Sequence, residues 1–216
     1  LPISLYNIKA IIMIKCEVSV CGTINKEGII RTNKDGKSFM SFAMNIVLPT
    51  TSGSKVLDVS VLCDCEKNND VSKFCVGTRL NASGTLLFKK RGENLYLNLY
   101  AEGFEFENVA AIDSIKGSMQ FRGKLGKTIE EKTDKKGNKY RTFSGVSSEK
   151  VSDGFEYIWI SFFDFSQVLD DAIKPETKVE IAGTLDLSFF KEKLTISSRI
   201  KSVSPYVPVA NTSNQE

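Results

Sequence analysis

Asp35-Gly36-Lys37-Ser38-Phe39-Met40-Ser41-Phe42 recurs further along the chain as Lys136-Gly137-Asn138-Lys139-Tyr140-Arg141-Thr142-Phe143, and Gly84-Thr85-Leu86 recurs as Gly183-Thr184-Leu185. Each pair is separated by about the length of one small domain, so the repeating unit is a domain rather than a hairpin. Around these stretches the chain alternates apolar and polar residues, the period-two signature of half-buried strands. The first unit gives strands over residues 14–24, 38–48, 56–63, 79–88 and 95–106. Between the third and fourth, residues 64–76 are polar, with Val71, Phe74 and Cys75 placed for one short helix. The second unit repeats the order, with strands over 118–127, 140–148, 155–163, 178–189 and 194–203. Its helix is expected over 165–173, where Val168, Leu169, Ala172 and Ile173 have helical spacing and Pro175 stops them.

Five strands with a helix between the third and fourth is the order of a small Greek-key barrel, the OB-fold. The expected class is therefore all-β, two tandem five-stranded OB-fold barrels, each with one short helix between strands three and four. Residues 1–12 read as an N-terminal extension or an added edge strand, 13–110 as the first domain and 111–117 as a linker. Residues 118–206 read as the second domain, and the polar 207–216 as a flexible tail.

Composition excludes several classes of function. The 216 residues contain no histidine. That removes Ser-His-Asp and Cys-His catalysis and the commonest zinc sites. The five cysteines, Cys16, Cys21, Cys63, Cys65 and Cys75, are odd in number and lack any Cys-x-x-Cys spacing. They read as reduced, buried thiols rather than as a disulfide framework or a metal site. No cofactor, no metal and no enzymatic activity are expected. Asp164, Asp170 and Asp171 read as helix N-terminal charge and solvated surface. The apolar N-terminus is interrupted by Lys9 and too short to cross a bilayer. A cytoplasmic protein without a membrane partner is expected. A net charge of +3 permits a polyanionic partner without demanding one, because clustering matters more than the sum.

A barrel strand buries alternate side chains and presents the others outside. In the third strand of the second unit, Ile158, Ile160 and Phe162 fall inside, and Tyr157, Trp159 and Phe163 outside. In the fifth strand of the first unit, Leu95, Leu97 and Leu99 fall inside, and Tyr96 and Tyr100 outside. Arg199 is outward on the matching strand of the second unit. Phe39 and Tyr140 are outward equivalents on strand two, with Phe42 and Phe143 inward. Cations crowd the turns: Lys37 before one second strand, Lys139 and Arg141 at the other, Lys89, Lys90 and Arg91 after Phe88, and Lys191 and Lys193 after Phe189 and Phe190. Outward rings can stack on unpaired bases, at about 1–3 kcal/mol per base, and flanking cations can hold phosphates. The expected nucleic-acid-binding set is therefore Lys37, Phe39, Phe88, Lys89, Lys90, Arg91, Tyr96, Tyr100, Lys139, Tyr140, Arg141, Tyr157, Trp159, Phe163, Lys191, Lys193 and Arg199. The same rings could instead cover a protein partner, and nothing in the residues separates DNA from RNA.

The chain resembles bacterial-type single-stranded DNA-binding proteins. The likeness is carried by Gly36-Lys37-Ser38-Phe39-Met40-Ser41-Phe42 on strand two, Leu57-Asp58-Val59-Ser60-Val61 on strand three, and 76–86 around Gly77 and Gly84-Thr85-Leu86. Lys178 to Leu185 matches more loosely in the second unit. The resemblance implies non-catalytic, sequence-tolerant binding of single-stranded DNA in replication, recombination or repair, with replication or recombination proteins as partners. For a two-barrel member it implies a homodimer presenting four barrels. Two departures are visible. The outer face of the first unit's third strand reads Asp58, Ser60 and Leu62, without a ring. The last residues lack an acidic tail, so recruitment of partners through one is not expected.

Overall fold

The computed structural model describes residues 13–65, 70–151, 154–166 and 172–206. Among these the chain is almost entirely strand. The first half holds β1 (Ile14–Thr32), β2 (Ser38–Thr50), β3 (Gly53–Asp64), β4 (Arg79–Arg91) and β5 (Asn94–Glu105). The second holds β6 (Ser114–Thr133), β7 (Lys139–Val151), β8 (Gly154–Asp164), β9 (Lys178–Phe190) and β10 (Lys193–Pro205).

All ten strands belong to one continuous sheet. Within the first half β1 pairs with β2, β2 with β3, β3 in parallel with β5, β5 with β4, and β4 returns to β1. The second half repeats this circuit through β6, β7, β8, β10 and β9. The circuit gives each strand a partner on both sides over part of its length, which limits the exposed edge of strands this long. Each circuit needs one strand that serves two neighbours. β1 pairs with β4 through its first part and with β2 through its last, and the ladder slips between Ile24 and Lys26 and again before Ile29. The matching slip in β6 lies between Leu125 and Ile129. Such irregularities bend a strand and let it pass from one partner to the next.

The apolar side of the alternation packs inside. Val59, Val61, Leu97 and Leu99 fill the first half, and Phe121, Ile160, Phe162 and Ile181 the second, all at 1% exposure or less. The Phe121 and Phe162 rings meet edge-on at 5.0 Å between centroids. The repeated glycines follow from strand crossing. A Cβ on Gly84 would fall on the Tyr100 carbonyl oxygen, and one on Gly183 on the Arg199 carbonyl oxygen.

The halves join by direct strand pairing. β1 runs antiparallel to β6 from Ile14 opposite Phe121 to Cys21 opposite Ser114. Val18 pairs with Gly84 and Met119 with Gly183, so Val18 and Met119 are counterparts, as are Glu17 and Ser118. Glu17 lies opposite Ser118 in the seam. A residue facing its own counterpart marks a local pseudo-twofold axis, the arrangement of an isologous interface. Gly117 allows the strands to close there, because a Cβ on it would fall on the Glu17 carbonyl oxygen. We expect Gly117→Ala to cost about 1–3 kcal/mol, as overpacking does. Thermal unfolding checks this, and an unchanged midpoint would mean that the seam has slack.

Several sequence expectations need correction. β6 begins at Ser114, inside the stretch expected as a linker over 111–117. The first strands of both halves run well past their expected ends. The first helix is reduced to one 3-10 turn, Val71–Lys73, capped by the Asp70 side chain, with Phe74 buried beyond it. Val168, Leu169, Asp170 and Asp171 of the second helix lie outside the described residues, as do 1–12 and 207–216. Only three of the five free cysteines are buried; Cys65 is half-buried and Cys75 exposed. Burial pushes the Cys16 thiol up to about 12, which keeps it protonated at neutral pH.

Candidate functional site

Both halves shape the turn before their second strand in the same way. In the first, the Asn33 side chain accepts from the backbone N–H of Asp35 and Lys37 at 2.9 and 2.8 Å. In the second, Asp134 accepts from the backbone of Lys136 and Asn138, both at 2.8 Å. The side-chain hydrogen bond from Asn138 is the first cause that holds the Asp134 carboxyl below its ordinary pKa. Gly36 and Gly137 take the left-handed backbone these turns require, at φ 77° and 86°. The recurring Gly in the quoted repeat is thus a turn device. It sets Lys37 and Lys139, both exposed, at equivalent corners.

From those corners one outer face spreads over β7, β8 and β10. Phe155, Tyr157 and Trp159 stand in a row on β8, exposed at 57%, 50% and 57%. The cross-strand neighbours of the last two are small: Val146 lies opposite Trp159, and Ser148 opposite Tyr157. Next along β8, Ser161 lies between Ser144 on β7 and Ser197 on β10. None of these side chains is long enough to cover a ring, so the Tyr157 and Trp159 faces stay open to solvent. Such a row is the kind of apolar surface that marks a binding site.

The row ends in a stack. Phe163, half-buried, pairs across the ladder with Arg199. The Tyr140 ring lies on Phe165 at 4.9 Å with 15° between planes, and the Arg199 guanidinium sits 4.2 Å from the Phe165 centroid. Lys135, Lys136, Lys139 and Arg199 line an open groove of about 690 Å³ beside Phe165. Phe165 was missed in the sequence, where it counted as the start of a helix. Its signal was present: residues 155, 157, 159, 163 and 165 share one parity, so the outward row simply continues.

The equivalent face of the first half is furnished differently. Tyr96 is exposed at 48%, beside Lys89 on β4, and Tyr100 is half-buried opposite Leu62 on β3. Burial raises the Tyr100 phenol above its ordinary pKa. Phe39 is half-buried on β2. Register makes Asp58 the counterpart of Trp159, Leu62 of Phe163, Tyr96 of Thr195 and Tyr100 of Arg199.

Two expected site residues lie elsewhere. Phe88 is 6% exposed and faces the core, because it falls on the inward parity with Leu86. Arg141 is 8% exposed and forms an ion pair with buried Asp164, so neither is surface charge. Their counterparts in the first half, Met40 and Cys63, are an apolar pair in the same register. Lys193 pairs with Glu93 across the seam at 3.0 Å, and the neighbouring Glu192 pairs with Lys55. Lys191 lies over the Phe190 ring. On the other side Gly92 N–H donates to Glu156 at 3.3 Å. The hairpin tips thus lean on the opposite half, yet Lys89, Arg91, Lys191 and Lys193 remain exposed, and Lys90 is half-buried.

No family model matches the sequence, and no curated protein matches it. Among solved structures the chain is similar to the wild-type single-stranded DNA binding protein from Thermus aquaticus, at 10% identity and a TM-score of 0.48, over 92% of this chain and 96% of that one. It is also similar to mitochondrial Rim1 from S. cerevisiae, at 20% identity and a TM-score of 0.34, over 41% and 91%. A third is the small single-stranded DNA-binding protein from Streptomyces coelicolor, at 12% identity and 0.33, over 42% and 90%. All three carry the same description: single-stranded DNA binding. At these TM-scores the function has to come from the residues themselves.

Proposed function

We propose that this chain is a non-enzymatic, largely sequence-independent binder of single-stranded DNA, built as two OB-type barrels joined at the β1–β6 seam. The single observation that carries this reading is the exposed row Phe155, Tyr157 and Trp159 on β8, continued by the Tyr140–Phe165–Arg199 stack. Rings of this kind accept any base, because every base has a π-face. Lys37, Lys89, Arg91, Lys139 and Arg199 border the two faces and supply phosphate contacts. Phe39, Tyr96, Tyr100 and Phe163 complete the stacking surface. Such a binder acts where duplex DNA is opened, in replication, recombination or repair. We expect a cytoplasmic homodimer, for which mass in solution is the measurement. Among the described residues no helix is long and apolar enough to cross a membrane.

Trp159 is the only tryptophan, so it reports directly on its own face. Titration with oligo-dT at low salt should quench its fluorescence, and a matched RNA oligomer in competition measures the preference for DNA. No quenching and no gel shift at low salt would reject the reading. A partner retained at high salt would identify the row as a protein-binding surface instead.

A further inference from the structure

We infer that the two barrel faces are unequal, with the second carrying the tight single-strand site and the first a weaker, auxiliary one. This rests on the function proposed above and divides it between the halves. At two equivalent outward places the first half has a carboxylate where the second has a ring: Asp58 stands for Trp159, and Asp64 for Phe165. Each exchange removes a stacking surface and adds a negative charge where a phosphodiester backbone would run. Asp58 is fixed in that position, since the Asn25 side-chain amide donates to it at 3.0 Å. The remaining rings partly compensate. Tyr96 and Tyr100 on β5 stand where the second half has Thr195 and Arg199 on β10. The second half still holds the longer row of rings, Phe155 through Phe165, and the groove lined by Lys135, Lys136, Lys139 and Arg199.

The faces also differ in what surrounds a bound base. In the second half the floor is Ser144, Ser148, Ser161 and Ser197, neutral and short. In the first, Ser60 and Asn98 share a register position flanked by Asp58 on one side and Leu62 and Tyr100 on the other. A strand crossing the first face therefore meets one open ring, Tyr96, close to a carboxylate.

Anisotropy of a dye-labelled oligo-dT long enough to cover both faces tests the division, with the full chain. The native protein should show two binding events of different strength. Tyr157→Ala/Trp159→Ala should weaken the tight event by at least tenfold and leave the weak one in place. Tyr96→Ala should weaken only the weak event. Asp58→Asn should strengthen the weak event severalfold without changing the tight one. Ser161→Asp, which removes no ring, should mimic the loss on the second face, and thermal melts run alongside show that each variant is folded. Equal losses from the two faces, or no response to Asp58→Asn, would overturn the division while leaving single-strand binding intact. Absence of binding by the native protein at low salt would overturn both.

Discussion

Arg141→Met should lower the thermal midpoint steeply, and Arg141→Met/Asp164→Cys should recover most of the loss. Asp164 is 2% exposed, and its carboxylate is held by Arg141 and by the Ser166 backbone N–H at 2.9 Å. Removing one partner of a buried pair leaves a desolvated charge, which costs about 3–5 kcal/mol. For a chain of this size that is a fall of about 2–4 °C per kcal/mol. The double substitution installs the Met and Cys that occupy the same register in the first half, Met40 and Cys63. An apolar pair of matching shape is often as stable as the ion pair it replaces. Calorimetry of the single and double variants decides the matter. If the double is no better than the single, the two circuits are not interchangeable at this position. A second readout concerns the stack. Asp164 pins the chain where it leaves β8, so the single variant should also loosen Phe165 from Tyr140.

Raising salt from 50 to 200 mM should weaken oligo-dT binding by roughly two orders of magnitude. For single strands the slope of log K against log salt is about −0.7 per neutralised phosphate, and engagement of about five cations gives a slope near −3.5. The five are Lys37, Lys89, Arg91, Lys139 and Arg199, all exposed. Lys139→Ala should reduce the slope by roughly one phosphate contact, whereas Trp159→Ala should lower affinity at every salt concentration with the slope unchanged. A slope near zero would mean that charge plays no part in whatever the rings hold.

Most of this architecture was legible in the residues. Alternation located all ten strands and sorted Ile158, Ile160 and Phe162 from Tyr157 and Trp159, because burial on one face imposes a period of two. It failed where local pattern is silent. No periodic signal separates 111–117 from a connector, because the start of β6 is recruited by β1, a partner far away in sequence. Arg141 counted among the cations of the turn, although its parity with Phe143 is inward; only Asp164 across the ladder makes its burial tolerable. Phe88 was placed among the binding residues on account of the lysines after it, while its parity matched Leu86. In each case the geometry of the strand outweighed the chemistry of the side chain. The inequality of the two faces was also half visible, in the missing ring on the first half's third strand, but its extent required the register that equates Asp64 with Phe165.

The pairing of Glu17 with Ser118 has a consequence for how this molecule can vary. In an assembly of two identical chains, any change at such an axis is introduced twice and must suit itself. Here both sides are encoded separately. Val18 lies over Gly117, and the mirrored position sets Met119 against Cys16, so the large and small partners are chosen independently at each crossing. One sequence can thereby keep the outline of a symmetric pair while giving each member its own inventory of side chains.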